Sequence, residues 1–149
     1  MSLNKYRSEV KLVNHNQQVV FNYLANFENL SGYLNSGLIQ KITEKVPQIK
    51  ITNFNSDQDS CKFNITGLGV AEIKIIKREP FSTIKVESSG GLPLSFVFWI
   101  QLIPVDQFQT KLRLTLHAEM SMMIKMMAAS KLEEGINQLA DTLSKLPYQ

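Results

Sequence analysis

The sequence predicts an α+β domain in which a curved antiparallel sheet packs against one long C-terminal helix. Three observations carry that expectation. Lys111 to Met120 alternates strictly, with Leu112, Leu114, Leu116, Ala118 and Met120 apolar and Lys111, Arg113, Thr115, His117 and Glu119 between them. That period of two belongs to a strand with one buried face and one wet face. After Ser121 the period changes: Met126, Ala129, Leu132, Ile136, Leu139, Leu143 and Leu146 recur three or four apart, which draws an apolar stripe down a helix of about six turns. Between Leu38 and Met120 no long helical period occurs, and short apolar runs are separated by turn formers.

Taken in order, Tyr6 to Val13 reads as a first strand, with Val10 and Leu12 on one face and Arg7, Glu9 and Lys11 on the other. Asn14 or Asn16 can cap a helix, because an Asn side chain accepts from the unpaired N–H groups of a first turn. Val20, Tyr23, Leu24 and Phe27 recur at helical spacing, so that helix runs to about Phe27, and a second short helix is expected over Glu28 to Leu34. Candidate strands follow at Ile39–Glu44, Gln48–Phe54, Ser60–Thr66, Ala71–Lys77, Ser82–Ser88, Leu94–Leu102 and Lys111–Met120. Their separators, including Gly67-Leu68-Gly69, Glu79-Pro80, Gly90-Gly91 and Pro104-Val105-Asp106, suit hairpins. The sheet is therefore expected to hold about six to seven strands in a meander, and Pro147 to end the long helix.

Composition bounds the function classes. A chain of 149 residues buries about 68–70% of its unfolded surface without staples, and 44% hydrophobic with 19% charged residues is globular usage. No repeat or linker divides residues 1–149, so one domain is expected. The formal charge of +3 comes from 16 basic and 13 acidic residues that are scattered, with no run of like charge, so no nucleic-acid partner is predicted. Cys61 is the only cysteine, which excludes an intrachain disulfide and a cysteine zinc site and suits a reducing cytoplasm. The first ten residues lack a signal-peptide h-region, and no run reaches the roughly 18 apolar residues that span a bilayer, so no stable membrane insertion is expected. Neither HExxH, nor a P-loop, nor a nucleophile elbow occurs. Gly67-Leu68-Gly69 lacks the third glycine and following helix of a dinucleotide loop, and no cofactor or metal is expected.

Several side chains invite a functional reading. Met120, Met122, Met123, Met126 and Met127 are five of the six methionines, gathered where the last strand meets the helix. Flexible thioethers there can line a surface that repacks around apolar ligands, or simply fill core space. Strict alternation puts Phe96 and Phe98 on one face of their strand with Leu94, Ile100 and Leu102, and Val97 and Trp99 on the other. Either a bulge shifts the register, or Val97 and Trp99 form an outer apolar patch. Cys61 shares the inward parity of Phe63 and Ile65, which makes it a buried thiol rather than a nucleophile. His15 precedes a helix and His117 falls on the wet face of its strand, so neither is an evident catalyst.

The order strand, two short helices, antiparallel strands and one long C-terminal helix, together with the stretch from Asn14 to Leu30, resembles the helix-grip fold of the START-like (SRPBCC) superfamily. That superfamily includes polyketide cyclases and aromatases, plant pollen-allergen-like carriers and lipid-transfer domains. The resemblance implies a cavity between sheet and helix, closed at one end by the short helices. It makes Tyr33, Leu34, Leu38, Phe63, Phe96, Phe98, Met120, Met123, Met126 and Met127 the expected ligand-binding residues. Binding or carriage of a small hydrophobic molecule is the leading expectation. The alternatives are a cyclase-like enzyme using hydroxyl and amide groups such as Tyr23, Tyr33, Asn64, Thr66 and Ser88, or a homodimer joined through the Val97 and Trp99 patch.

Overall fold

The alternating strand β8 (Thr110–Met120) finds partners on both of its edges. In the computed structural model, which describes residues 2–29, 51–65, 69–89 and 94–148, β1 (Ser2–Arg7) and β2 (Lys11–Val13) pair antiparallel with one edge of β8 and β7 (Leu94–Pro104) with the other. Beyond β7 come β6 (Thr83–Ser89), β5 (Gly69–Glu79), β4 (Ser60–Ile65) and β3 (Ile51–Ser56), giving one sheet in the order β1-β8-β7-β6-β5-β4-β3. Helix α1 (Gln17–Leu24) and a 3-10 turn at Phe27–Asn29 follow β2, and α2 (Met122–Leu143) closes the chain. The architecture is the expected α+β grip. The expected strand at Ile39–Glu44, the second short helix beyond Asn29, and Tyr33, Leu34 and Leu38 lie outside the described residues.

The single strand expected over Tyr6 to Val13 is two strands, and the break inverts its parity. Ser8 is buried; its N–H donates to the Leu114 carbonyl at 2.9 Å and its Oγ accepts from the Leu114 N–H at 2.9 Å. The side chain thus stands in for a main-chain carbonyl, and the chain leaves the ladder for Glu9 and Val10 before rejoining at Lys11. As a result Val13 is fully buried, while Val10 and Leu12, expected inside, are 53% and 50% exposed.

Helix α1 starts at Asn16, which has extended dihedrals (φ −74°, ψ 159°) and accepts from the Val19 N–H at 2.8 Å. Asn14 instead accepts from Gln109. Loss of a cap of this kind costs about 1 kcal/mol, so Asn16→Ala should lower the melting temperature by about 2–4 °C. Asn14→Ala, measured in the same scans, should move it less.

A bulge in β5 has a comparable effect. Ile75 pairs with Val86 but Lys77 with Lys85, so Ile76 is extra and parity reverses beyond it. Ala71, Ile73 and Ile75 face the concave side before the bulge, and Arg78 faces it after. Its guanidinium donates to the Ala25 carbonyl (3.0 and 2.8 Å), to the Gln58 carbonyl (3.3 Å) and to Asp59 Oδ1 (2.6 Å). One cation therefore ties the end of α1 and the β3–β4 turn to the sheet, and satisfies carbonyls that a helix end leaves without partners.

The core lies between the concave face and the second half of α2. Val13, Val20, Leu24, Ile84, Leu112, Leu114 and Ala140 are fully buried there, with Ile136, Leu143 and Leu146 nearly so. After α2, Tyr148 tucks back under α1, edge-on to His15 (5.6 Å between ring centroids) and Tyr23 (5.1 Å). Its hydroxyl donates to the Leu143 carbonyl, and burial pushes its ionisation well above the usual phenol range. On the opposite flank the Glu9 N–H donates to Asn137 Oδ1 at 2.6 Å, fastening the β1–β2 link to α2.

Candidate functional site

Burial on the concave face is uneven along the strands. On β7, Ile100 and Leu102 are 4% and 3% exposed, whereas Phe98 and Phe96, on the same face, are only half-buried. On β8, Leu112 and Leu114 are inaccessible, Leu116 is half-buried, and Ala118 and Met120 are buried again. Two apolar clusters result. The large one holds α1, the C-terminal turn and the middle of the sheet; a small one joins Ala118 and Met120 to Phe96 and Leu132, and Leu116 touches both. Between them, inward-facing apolar side chains keep part of their surface accessible: Phe63 on β4, Ile73 on β5, Phe96 and Phe98 on β7, Leu116 on β8, and Leu132 and Leu139 on α2.

Among the expected ligand-binding residues, Phe63, Phe96, Phe98 and Met120 share this concave face. Met122, Met123 and Met126 are 73%, 59% and 80% exposed, whereas Leu132 further along α2 packs against the small cluster. Met126, first in the expected stripe, stands in solvent. The side chain of Met127 lies outside the described set. Leu116, Leu132, Leu139 and Ile73 were not singled out from the sequence; the alternation of β8 and the spacing of α2 place Leu116, Leu132 and Leu139 inward, but partial burial has no sequence signal.

Polar groups on the concave face are few among the described residues. Tyr6 faces Leu116 across the β1–β8 ladder, and burial raises its ionisation above the usual phenol value. Ser88 Oγ accepts from the Phe96 N–H at 2.8 Å. Cys61 is inaccessible, and burial, with a smaller contribution from Asp57, pushes its thiol up to about 11. At pH 7.5 it should react with a disulfide reagent many times more slowly in the folded protein than in denaturant, as thiol titration will show.

The outer face settles the position of Trp99. The β7–β8 register runs unbroken from Leu94 opposite Met120 to Pro104 opposite Thr110, so no bulge intervenes and Val97 and Trp99 both lie outside. Trp99 is half-buried, edge-on to His117 (4.7 Å) and with Lys85 Nζ 5.6 Å from its centroid. Partial burial first, and the cations Lys5 and Arg7 next, push the His117 ionisation below the usual imidazole value.

A curved antiparallel sheet gripping a C-terminal helix is the helix-grip architecture. Comparison of structures agrees on the fold. Norcoclaurine synthase from Thalictrum flavum superposes with a TM-score of 0.60 at 11% identity, over 97% of this chain and 86% of that one. A protein from Thermus thermophilus gives 0.58 at 12% identity, covering 95% of both chains. A conserved protein from Geobacillus kaustophilus gives 0.51 at 14%, covering 98% of both. No family model and no curated protein matches the sequence. No helix among the described residues is long and apolar enough to cross a membrane.

Proposed function

We propose that the chain binds a small apolar or aromatic molecule in the seam between the concave face and α2, with Phe63, Phe96, Phe98, Leu116 and Leu132 as its walls and Met120 at one end. The supporting observation is the half-burial of inward-facing Phe96, Phe98 and Leu116 between two closed clusters. Apolar surface left accessible inside a fold is surface that a ligand can remove from water, at about 25 cal/mol per Å². Met123 and Met126, exposed on the first turns of α2, would supply a flexible apolar rim. The fold carries such use elsewhere: norcoclaurine synthase has been solved in complex with dopamine and hydroxybenzaldehyde, two aromatic molecules.

The neutral fluorophore N-phenyl-1-naphthylamine tests the reading without engaging the charged outer face. Saturable binding at one site per chain, competed by unlabelled aromatic molecules, is the expected result. Fluorescence that rises only as the protein unfolds, with no saturable phase for the folded chain, removes it.

A further inference from the structure

The outer face carries a second, chemically opposite feature. Lys11, Lys62, Lys74, Lys77, Arg78 and Lys145 each meet a carboxylate at 2.6–3.6 Å. Lys85, Lys111, Arg113 and Lys131 have no such partner among the described residues, and neither do Lys5 and Arg7, which are set apart by projecting together from the same face of the edge strand β1. The ladder sets Lys5 directly opposite His117, and Arg7 opposite Thr115, one pair along. A recess of about 560 Å³ runs beside them, lined by Lys5, Tyr6, Arg7, His117 and Glu133. The edge of Trp99 holds the imidazole in place. Two fixed positive charges and a titratable third thus converge, with no carboxylate paired to either cation among the described residues, on a space large enough for a ligand.

We propose that this recess binds a phosphate-type oxyanion group, gripped by the Arg7 guanidinium and the Lys5 ammonium, with His117 as the third donor. The planar fork of arginine and the point charge of lysine are the usual pair for such a group. Carboxylates also face the imidazole: Glu133 of α2 at the recess, and Glu119 and Glu87 in a neighbouring hollow on the far side of His117. Burial first, and Lys5 and Arg7 next, nevertheless lower its ionisation. An anion placed between the cations reverses that balance, so binding takes up a proton at His117. Affinity is therefore greatest below the ionisation of His117 in the free protein and falls as pH rises from there through its ionisation in the complex. The recess opens at the β1 edge of the sheet beside α2, and none of the residues proposed to wall the apolar seam lines it.

The test follows the ring resonances of both histidines by NMR from pH 5 to 8, in sodium sulfate and in sodium chloride of equal ionic strength. Sulfate keeps its charge over that range, and chloride reports how much of any shift is screening of Lys5 and Arg7, which acts within about 10 Å at 0.1 M salt. The expected result is an upward shift of the His117 midpoint in sulfate beyond that in chloride, with His15, packed against Tyr148, unmoved. In Lys5→Ala/Arg7→Ala, whose exposed side chains contribute nothing to the core, the sulfate-specific part should vanish and affinity fall about tenfold or more. Equal shifts in the two salts, or a sulfate effect that survives in the double variant, overturn the proposal. Methyl phosphate and vesicles of phosphatidylcholine with or without phosphatidic acid identify the source. Binding of methyl phosphate alone assigns a free phosphoester, binding of both assigns a lipid headgroup as well, and binding of neither overturns the site.

Discussion

Leu114→Ala should destabilise the protein by about 3–4 kcal/mol, near the upper part of the range for buried leucines, and lower its melting temperature by about 10 °C. Leu114 is inaccessible and belongs to the large cluster, and its own N–H and carbonyl are held by Ser8. The backbone is pinned on that side, so the cavity left by the missing atoms cannot collapse. Leu116→Ala, two residues along on the same face of the same strand, should cost less than about 2 kcal/mol, because part of its surface is already wet in the native state. Chemical denaturation of the two variants measures the difference. Equal losses would mean that Leu116 stands in a closed core, and the seam would have no room for a ligand.

Leu116→Trp should have the converse profile, abolishing uptake of N-phenyl-1-naphthylamine while changing stability by less than about 1 kcal/mol. An indole at position 116, on the inward parity of β8 near Phe96, Phe98 and Leu132, would occupy the space that the proposed ligand uses. In a filled interior the added volume would instead force side chains off their rotamers, at about 1–3 kcal/mol. A variant that is destabilised to that extent yet still binds the probe would place any binding site elsewhere.

What could be read from the sequence was whatever depends on local period. The alternation of Lys111 to Met120 and the spacing of Leu132 to Leu143 correctly assign the last strand and the helix, which ends at Leu143 rather than at Pro147, so that Leu146 is buried from the turn beyond it. What could not be read depends on partners distant in the chain. Ser8 breaks β1 from β2 only because Leu114 lies opposite it, so Val10 and Leu12 lost the inward parity that Tyr6 to Val13 implied. Ile76 is extra only in relation to β6, and without that bulge Arg78 would point to solvent. A helical period tells which side of α2 is apolar, not how far the sheet extends opposite that side, and for this reason Met126 is exposed. Leu114 and Leu116 are the same letter at the same parity; their difference, on which the proposed site rests, arises from packing alone.

The position of β1 has a consequence for synthesis. Ser2 pairs with Met120 and Val13 with Thr110, so β1 and β2 wait for a partner synthesised about a hundred residues later. At 5–20 residues per second that is roughly 5–20 s. Throughout it β1 carries its unpaired main-chain groups without its neighbour, an invitation to wrong pairing with another nascent chain. Like charge on Lys5 and Arg7 makes two such strands repel, so the residues proposed to hold an anion in the finished protein also protect the unfinished one.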